Sequence, residues 1–113
     1  MHEFSITSSI IDILKKTIKD RDIKKILKVN FLTNSYGGIE PESIKFYYEF
    51  LTKDEPDLKG ARLIFKKEKI KIKCNSCGEK FEVFKMFTKC RKCASTDLSI
   101  SFPDDIKIKS IEI

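Results

Sequence analysis

Tryptophan and glutamine are missing from this chain of 113 residues, histidine occurs once, and three arginines stand against 20 lysines. With His2 the sole imidazole, the Ser-His-Asp and Cys-His pairings of nucleophilic catalysis have nothing to be built from beyond that residue. Four glycines and three prolines form no phosphate-cradling loop, so the chain reads as a non-enzyme. Long apolar runs are also absent. The longest charge-free stretch, residues 29–39, holds Asn30, Asn34 and two glycines, far from the ~18 consecutive apolar residues that a membrane span requires. The opening Met1-His2-Glu3 has no basic segment, and the short patch from Ile10 to Leu14 contains Asp12, so no export signal is legible and a cytoplasmic location is the expectation.

What is present is a balance of 41% apolar and 35% charged residues, which suits a folded soluble protein and not a disordered one. Net charge is +6, a bias toward acidic partners. It is unevenly placed: residues 70–93 carry seven basic side chains against Glu79 and Glu82, a net of +5, leaving +1 for the remainder.

Apolar positions Ile6, Ile10, Ile13, Leu14 and Thr17 or Ile18 recur at spacings of three and four, predicting an amphipathic helix over 4–20. From Ile26 to Ser35 the period falls to two, with Val29, Phe31 and Thr33 suited to a strand that ends at Gly37-Gly38. Pro41 and Glu42 open a second helix, since a proline loses nothing at a first helical position and a carboxylate favours the positive helix end. Alternation in Ala61–Phe65, Ile70–Lys73, Leu98–Phe102 and Ile106–Ile113 predicts further strands, with a phase slip at Ser110 that suggests a bulge. The expected fold is α+β: two helices packed on a small three-stranded sheet, with an inserted zinc-ribbon-like β lobe. The expected domains are 1–69 plus 103–113 and 70–102.

Cys74, Cys77, Cys90 and Cys93 form two C-x2-C pairs separated by twelve residues. Thiolates at this spacing satisfy tetrahedral Zn2+ at Zn–S distances of ~2.3 Å. Four sulfurs leave no open coordination position, which argues for a structural rather than a catalytic ion; rubredoxin-like iron would use the same ligands. Gly78 supplies the permissive backbone after the first pair, and Ala94 holds the matching place after the second. Phe81, Val83, Phe84, Met86 and Phe87 between the pairs are too few to form a core unaided. Structural zinc, with apparent binding energies of ~10 to 16 kcal/mol, would supply the missing stability.

The N-terminus has its own chemistry. The Met1 α-amine and the His2 amide nitrogen close a five-membered chelate ring, and that amide with the imidazole Nδ1 closes a six-membered one. Such a plane of three nitrogens suits square-planar Ni(II) or Cu(II) better than zinc. Taken by itself, a lone terminal histidine is usually just an exposed side chain.

Together, Met1-His2-Glu3-Phe4-Ser5, Val29, Gly38-Ile39-Glu40-Pro41-Glu42, Phe46, Phe50, Gly60-Ala61-Arg62-Leu63, the cysteine quartet and the ending Ile108 to Ile113 resemble the HypA family of hydrogenase maturation proteins over essentially the whole chain. The resemblance implies nickel bound by His2, with the Met1 amine and the backbone nitrogens of His2 and Glu3 in its plane. It also implies a structural zinc on the four cysteines. As partners it implies a HypB-type GTPase and the apo large subunit of a [NiFe]-hydrogenase, the protein itself being a monomer or weak dimer. Glu3 and Glu40 match acidic family positions near the nickel, where they would orient ligands or balance charge; as plain surface carboxylates they need neither role. Histidine from the zinc lobe, present in some members, is lacking here, so a fourth nickel ligand falls to the Glu3 amide, water or a partner. The site also requires that Met1 be retained, which the bulk of His2 favours.

The rival reading is a zinc-ribbon nucleic-acid-binding module, for which the basic lobe and Phe81, Phe84 and Phe87 offer phosphate contacts and stacking. Against it, those aromatics serve equally as the lobe's core, and arginine, the favoured base reader, is scarce.

Overall fold

The structure is a computed structural model, which describes residues 3–34, 38–85 and 89–113. Its elements are α1 (Glu3–Arg21), β1 (Lys28–Asn34), α2 (Pro41–Thr52), β2 (Arg62–Glu68), β3 (Ile70–Cys74), β4 (Lys80–Val83), β5 (Leu98–Ser101) and β6 (Ile106–Glu112). They form two three-stranded sheets, ordered β2-β1-β6 and β4-β3-β5. The chain divides into two compact units, one comprising 1–31, 39–65 and 108–113 and the other 32–38 and 66–107.

In the first unit α1 packs against α2. Residues Thr7, Ile10, Ile11 and Leu14 are its buried face. That corrects the expected stripe by one position: Ile11 and Thr7 turn inward, while Ile13 is about half exposed. Thr7 is tolerated in the core because its hydroxyl donates to the Glu3 carbonyl at 2.6 Å, leaving no unpaired polar group. Along β1 alternate residues Val29, Phe31 and Thr33 are buried, as period two requires. Helix α2 starts at Pro41 with Glu40 as N-cap, whose carboxylate accepts from the Glu42 amide at 3.4 Å. It buries Ile44, Tyr48 and Thr52, and the Tyr48 hydroxyl donates to the Leu58 carbonyl at 2.7 Å.

Strand directions follow from the contacts. The Arg62 amide donates to the Leu27 carbonyl and the Phe31 and Phe65 rings stack at 4.9 Å, so β1 and β2 advance together, as strands joined through a helix do. Leu27 also donates to the Glu112 carbonyl and Asn34 to that of Asp105, which makes β6 antiparallel to β1. The expected three-stranded sheet with the C-terminal strand returning to it is therefore present. Burial in β6 slips by one step at Lys109–Ser110. Gly37, Met86 and Phe87 lie outside the described residues.

In the second unit β3 is central. It pairs antiparallel with β4, placing Ile72 against Phe81, and antiparallel with β5, placing Ile72 against Ile100. The core is small: Ile70, Ile72 and Phe81, with Val83, Leu98 and Ile100 packed against them. Phe84, anticipated as a core member, is 48% exposed instead, beneath the Lys69 ammonium at 5.5 Å.

Candidate metal centres

Strand β3 delivers Cys74 at its last residue, and the chain then turns so tightly that Cys77 returns beside it. The Gly78 amide donates to the Cys74 carbonyl at 2.9 Å and the Cys74 amide to the Glu79 carbonyl at 2.8 Å. The second pair repeats the pattern: Ala94 donates to Cys90 at 2.9 Å and Cys90 to the Ser95 carbonyl at 2.7 Å. Amides of the turns point at sulfur as well, that of Cys77 at the Cys74 Sγ (3.5 Å) and that of Lys92 at the Cys90 Sγ (3.3 Å). Such donors stabilise thiolates.

All four Sγ atoms lie within 4.8 Å of one another. Cys74 and Cys93 approach to 3.6 Å, Cys77 and Cys90 to 3.7 Å. A regular tetrahedron with Zn–S of ~2.3 Å has sulfur–sulfur edges of ~3.8 Å, so the spacing and the all-thiolate donor set fit zinc. Free sulfurs this close cannot all ionise. The Cys74 thiol is brought down to about 6, chiefly by the Cys77 amide. At Cys93 the Ser95 amide pulls downward but is outweighed by the Cys74 sulfur and burial, and the thiol is pushed up to about 12. A dication offsets this mutual repulsion.

Side chains outside the quartet tie the two turns together. Asn75 donates its backbone amide to the Asp97 carbonyl and its side chain to the Asp97 carboxylate at 3.1 Å, while Ser76 and Ser95 hydroxyls meet at 2.7 Å. Sequence spacing does not reveal these contacts, because they join residues about twenty positions apart.

The proposed nickel ligands Met1 and His2 lie outside the described residues. Glu3 is described, as the first residue of α1. Its carboxyl is held below the usual carboxylate range by its own backbone amide first, with the Glu40 amide also contributing and burial opposing. Glu3 is thus beside Glu40, and further contacts repeat the pairing: Phe4 meets Tyr47 edge-to-face at 5.3 Å, and Lys15 pairs with Glu55 at 3.0 Å. The two helices therefore run in the same direction, with their N-termini together. Two positive helix ends repel a cation, and the carboxylates of Glu3, Glu40 and Glu42 at this corner offset that field. Glu40 has the further, purely structural task of capping α2.

No helix among the described residues is long and apolar enough to cross a membrane. Comparison with known proteins agrees with the geometry. A curated relative from Caldanaerobacter subterraneus subsp. tengcongensis, named hydrogenase maturation factor HypA, is 36% identical, with 100% of this chain and 99% of that protein covered. A relative of the same name from Geobacter metallireducens is 31% identical over 100% and 99% of the two chains. The solution structure of the Ni metallochaperone HypA from Helicobacter pylori superposes with a TM-score of 0.70 at 24% identity, covering 100% of this chain and 97% of that one, and so shares the fold. A second, described as the solution structure of HypA protein, gives a TM-score of 0.74 at 24% identity with 100% and 96% covered. With a family model for hydrogenase/urease nickel incorporation metallochaperones matching residues 1–113, the chain belongs to the HypA family.

Proposed function

We propose that this protein carries nickel on its first residues and delivers it to the apo large subunit of a [NiFe]-hydrogenase in the cytoplasm, together with a HypB-type GTPase. It performs no catalysis of its own. His2 supplies the imidazole, the Met1 amine and the backbone nitrogens of His2 and Glu3 complete the plane, and residues 1–69 with 103–113 form the nickel-handling domain. Residues 70–102 form the zinc domain, with Cys74, Cys77, Cys90 and Cys93 as ligands. Zinc there supplies stability that the small core of Ile70, Ile72 and Phe81 lacks.

The observation that carries the reading is the juxtaposition of Glu3 with Glu40 at the paired helix N-termini. Glu3 thereby opens α1 at an acidic corner, where a cationic cargo is favoured although both helix ends oppose it. Binding of this kind needs a neutral amine, a neutral imidazole and an ionised amide, so acid should eject the cargo, a property suited to transfer.

Metal analysis and nickel titration of protein with an authentic N-terminus test the assignment. One zinc and one nickel per chain are expected, with the nickel lost and the zinc kept in His2→Ala. Unchanged nickel stoichiometry in that variant sinks the proposal.

A further inference from the structure

Strand pairing in the second unit sorts its side chains onto two faces. Ile70, Ile72, Phe81, Val83, Leu98 and Ile100 make the core, while Lys71, Lys73, Lys80, Glu82, Ser99 and Ser101 are exposed. Lys71 stands opposite Glu82 and Ser101. Lys73 stands opposite Lys80 on one side and Ser99 on the other. Directly opposed like charges destabilise a sheet, and although Glu82 shares this face, among the described residues Lys71, Lys73 and Lys80 make no ion pair. The same lysines, with Lys69 and Arg91, line a cavity of about 650 Å³. A fold that retains an opposed lysine pair beside a cavity lined by five cationic side chains and the single carboxylate of Glu82 is suited to an anionic occupant.

We infer that this lysine face is a docking surface for an extended acidic protein segment presenting carboxylates on alternate residues. Charge complementarity gives the sign, and spacing gives the form. Lys71 and Lys73 fall on alternate positions of β3, with Lys69 two residues before them, so their backbone positions repeat at ~6.7 Å, the repeat of an extended peptide. Ser101 beside them offers a hydroxyl to the same segment, that of Ser99 being donated to the Asn75 side chain at 3.1 Å. A nucleic-acid strand fits less well. Stacking platforms are what hold unpaired bases, and the half-exposed ring beside this face, Phe84, is already covered by the Lys69 ammonium at 5.5 Å. Phe81 belongs to the core, and Arg91 is engaged over it at 4.8 Å and with Glu79 at 3.9 Å. The inference is independent of which metal the chain carries.

The test is fluorescence anisotropy at low salt with the zinc-loaded full chain and a labelled peptide of alternating glutamate and serine, about a dozen residues long. The comparison probes are an alternating lysine–serine peptide and an oligothymidylate of equal charge. Lys73→Glu places a carboxylate opposite Lys80, so it should keep its zinc and unfold no more easily than the parent, while binding the acidic peptide about tenfold more weakly. Lys24→Glu, a control of equal charge change at an exposed residue of the other unit, should bind nearly as the parent does. The inference is overturned by no binding of the acidic peptide, by equal binding in Lys73→Glu, or by equal weakening in both variants. Oligothymidylate bound as tightly as the peptide would also overturn it, in favour of a phosphate-chain surface.

Discussion

Gly78 and Ala94 hold the same place in the two cysteine turns and share a left-handed backbone, with φ of 80° and 62°. Each donates its amide 2.9 Å to the carbonyl of the first cysteine of its pair. Glycine adopts this conformation freely, whereas an L-side chain brings its Cβ too close to the following carbonyl, at a cost of ~1 to 2 kcal/mol. The second turn is therefore strained and the first is not.

Ala94→Gly should stabilise the zinc-loaded protein by roughly 0.5 kcal/mol, part of the relief being offset by the greater freedom of glycine in the unfolded chain. Gly78→Ala should cost about 1 kcal/mol from backbone strain alone, since an added Cβ there meets nothing within 4 Å. Zinc retention against a competing chelator checks both; equal retention in all three proteins would contradict the account.

Glu40 combines a cap with a charge, and two substitutions separate them. Glu40→Gln retains an oxygen to accept from the Glu42 amide but removes the charge, so stability should hold while nickel affinity falls about tenfold. Glu40→Ala should lose similar affinity and also destabilise the fold by about 0.5 to 1 kcal/mol through loss of the cap. Titration with nickel paired with thermal unfolding distinguishes the two effects.

Tyr48 predicts the alkaline behaviour. Burial pushes its phenol up to about 12 from an ordinary value of 10.0. Up to pH 10.0 both folded and unfolded chains keep the proton; from there to about pH 12 the unfolded chain ionises first, and stability declines across that window. Tyr48→Phe should remove this part of the decline. It should also cost about 1 kcal/mol near neutrality, because the Leu58 carbonyl loses the shorter of its two bonds and keeps only that from the Ala61 amide at 3.3 Å. Denaturant midpoints measured from neutral to alkaline pH report both.

Stripping zinc with a chelator should abolish amide-exchange protection in β3, β4 and β5, whose apolar core has three buried members among the described residues. Helices α1 and α2 rest on Ile10, Leu14, Ile44 and Tyr48, which belong to the other unit, and should keep theirs. Mass spectrometry of exchange after chelation reads this segment by segment; uniform loss would show that one metal holds the entire chain.

Most of this architecture is legible in the residues. Cys74, Cys77, Cys90 and Cys93 announce a closed tetrahedral site by spacing alone, because two tight turns leave the sulfurs little freedom. Val29, Phe31 and Thr33 announce β1 because a half-buried strand demands alternation. Helix α1 is legible as a helix, but its inward face is not fully so: Thr7 buys its buried place with a hydrogen bond to Glu3, which hydrophobic periodicity does not weigh. Strand β4 is invisible because Lys80–Val83 is short and its pattern is dominated by charge. The opposition of Lys73 and Lys80 was nevertheless recoverable, since closing the turn between Cys74 and Glu79 forces the residues on either side into register. The meeting of Glu3 and Glu40 joins positions far apart in the chain; the family resemblance implies it by setting both near the nickel, but periodicity and spacing do not, and the packing of α1 on α2 discloses it.

The sheet β2-β1-β6 ends with Glu68 and Ile106 on strands that flank β1, and Lys107 reaches across to Glu68 at 3.4 Å. Two inter-strand spacings set these chain ends ~10 Å apart, a gap that three or four extended residues could bridge. Everything from Lys69 to Asp105, including the whole second sheet, hangs on that gap. In the vocabulary of gene architecture it is a cassette: a stretch that leaves and re-enters the sheet through two neighbouring junctions, with the order of strands around it unaltered.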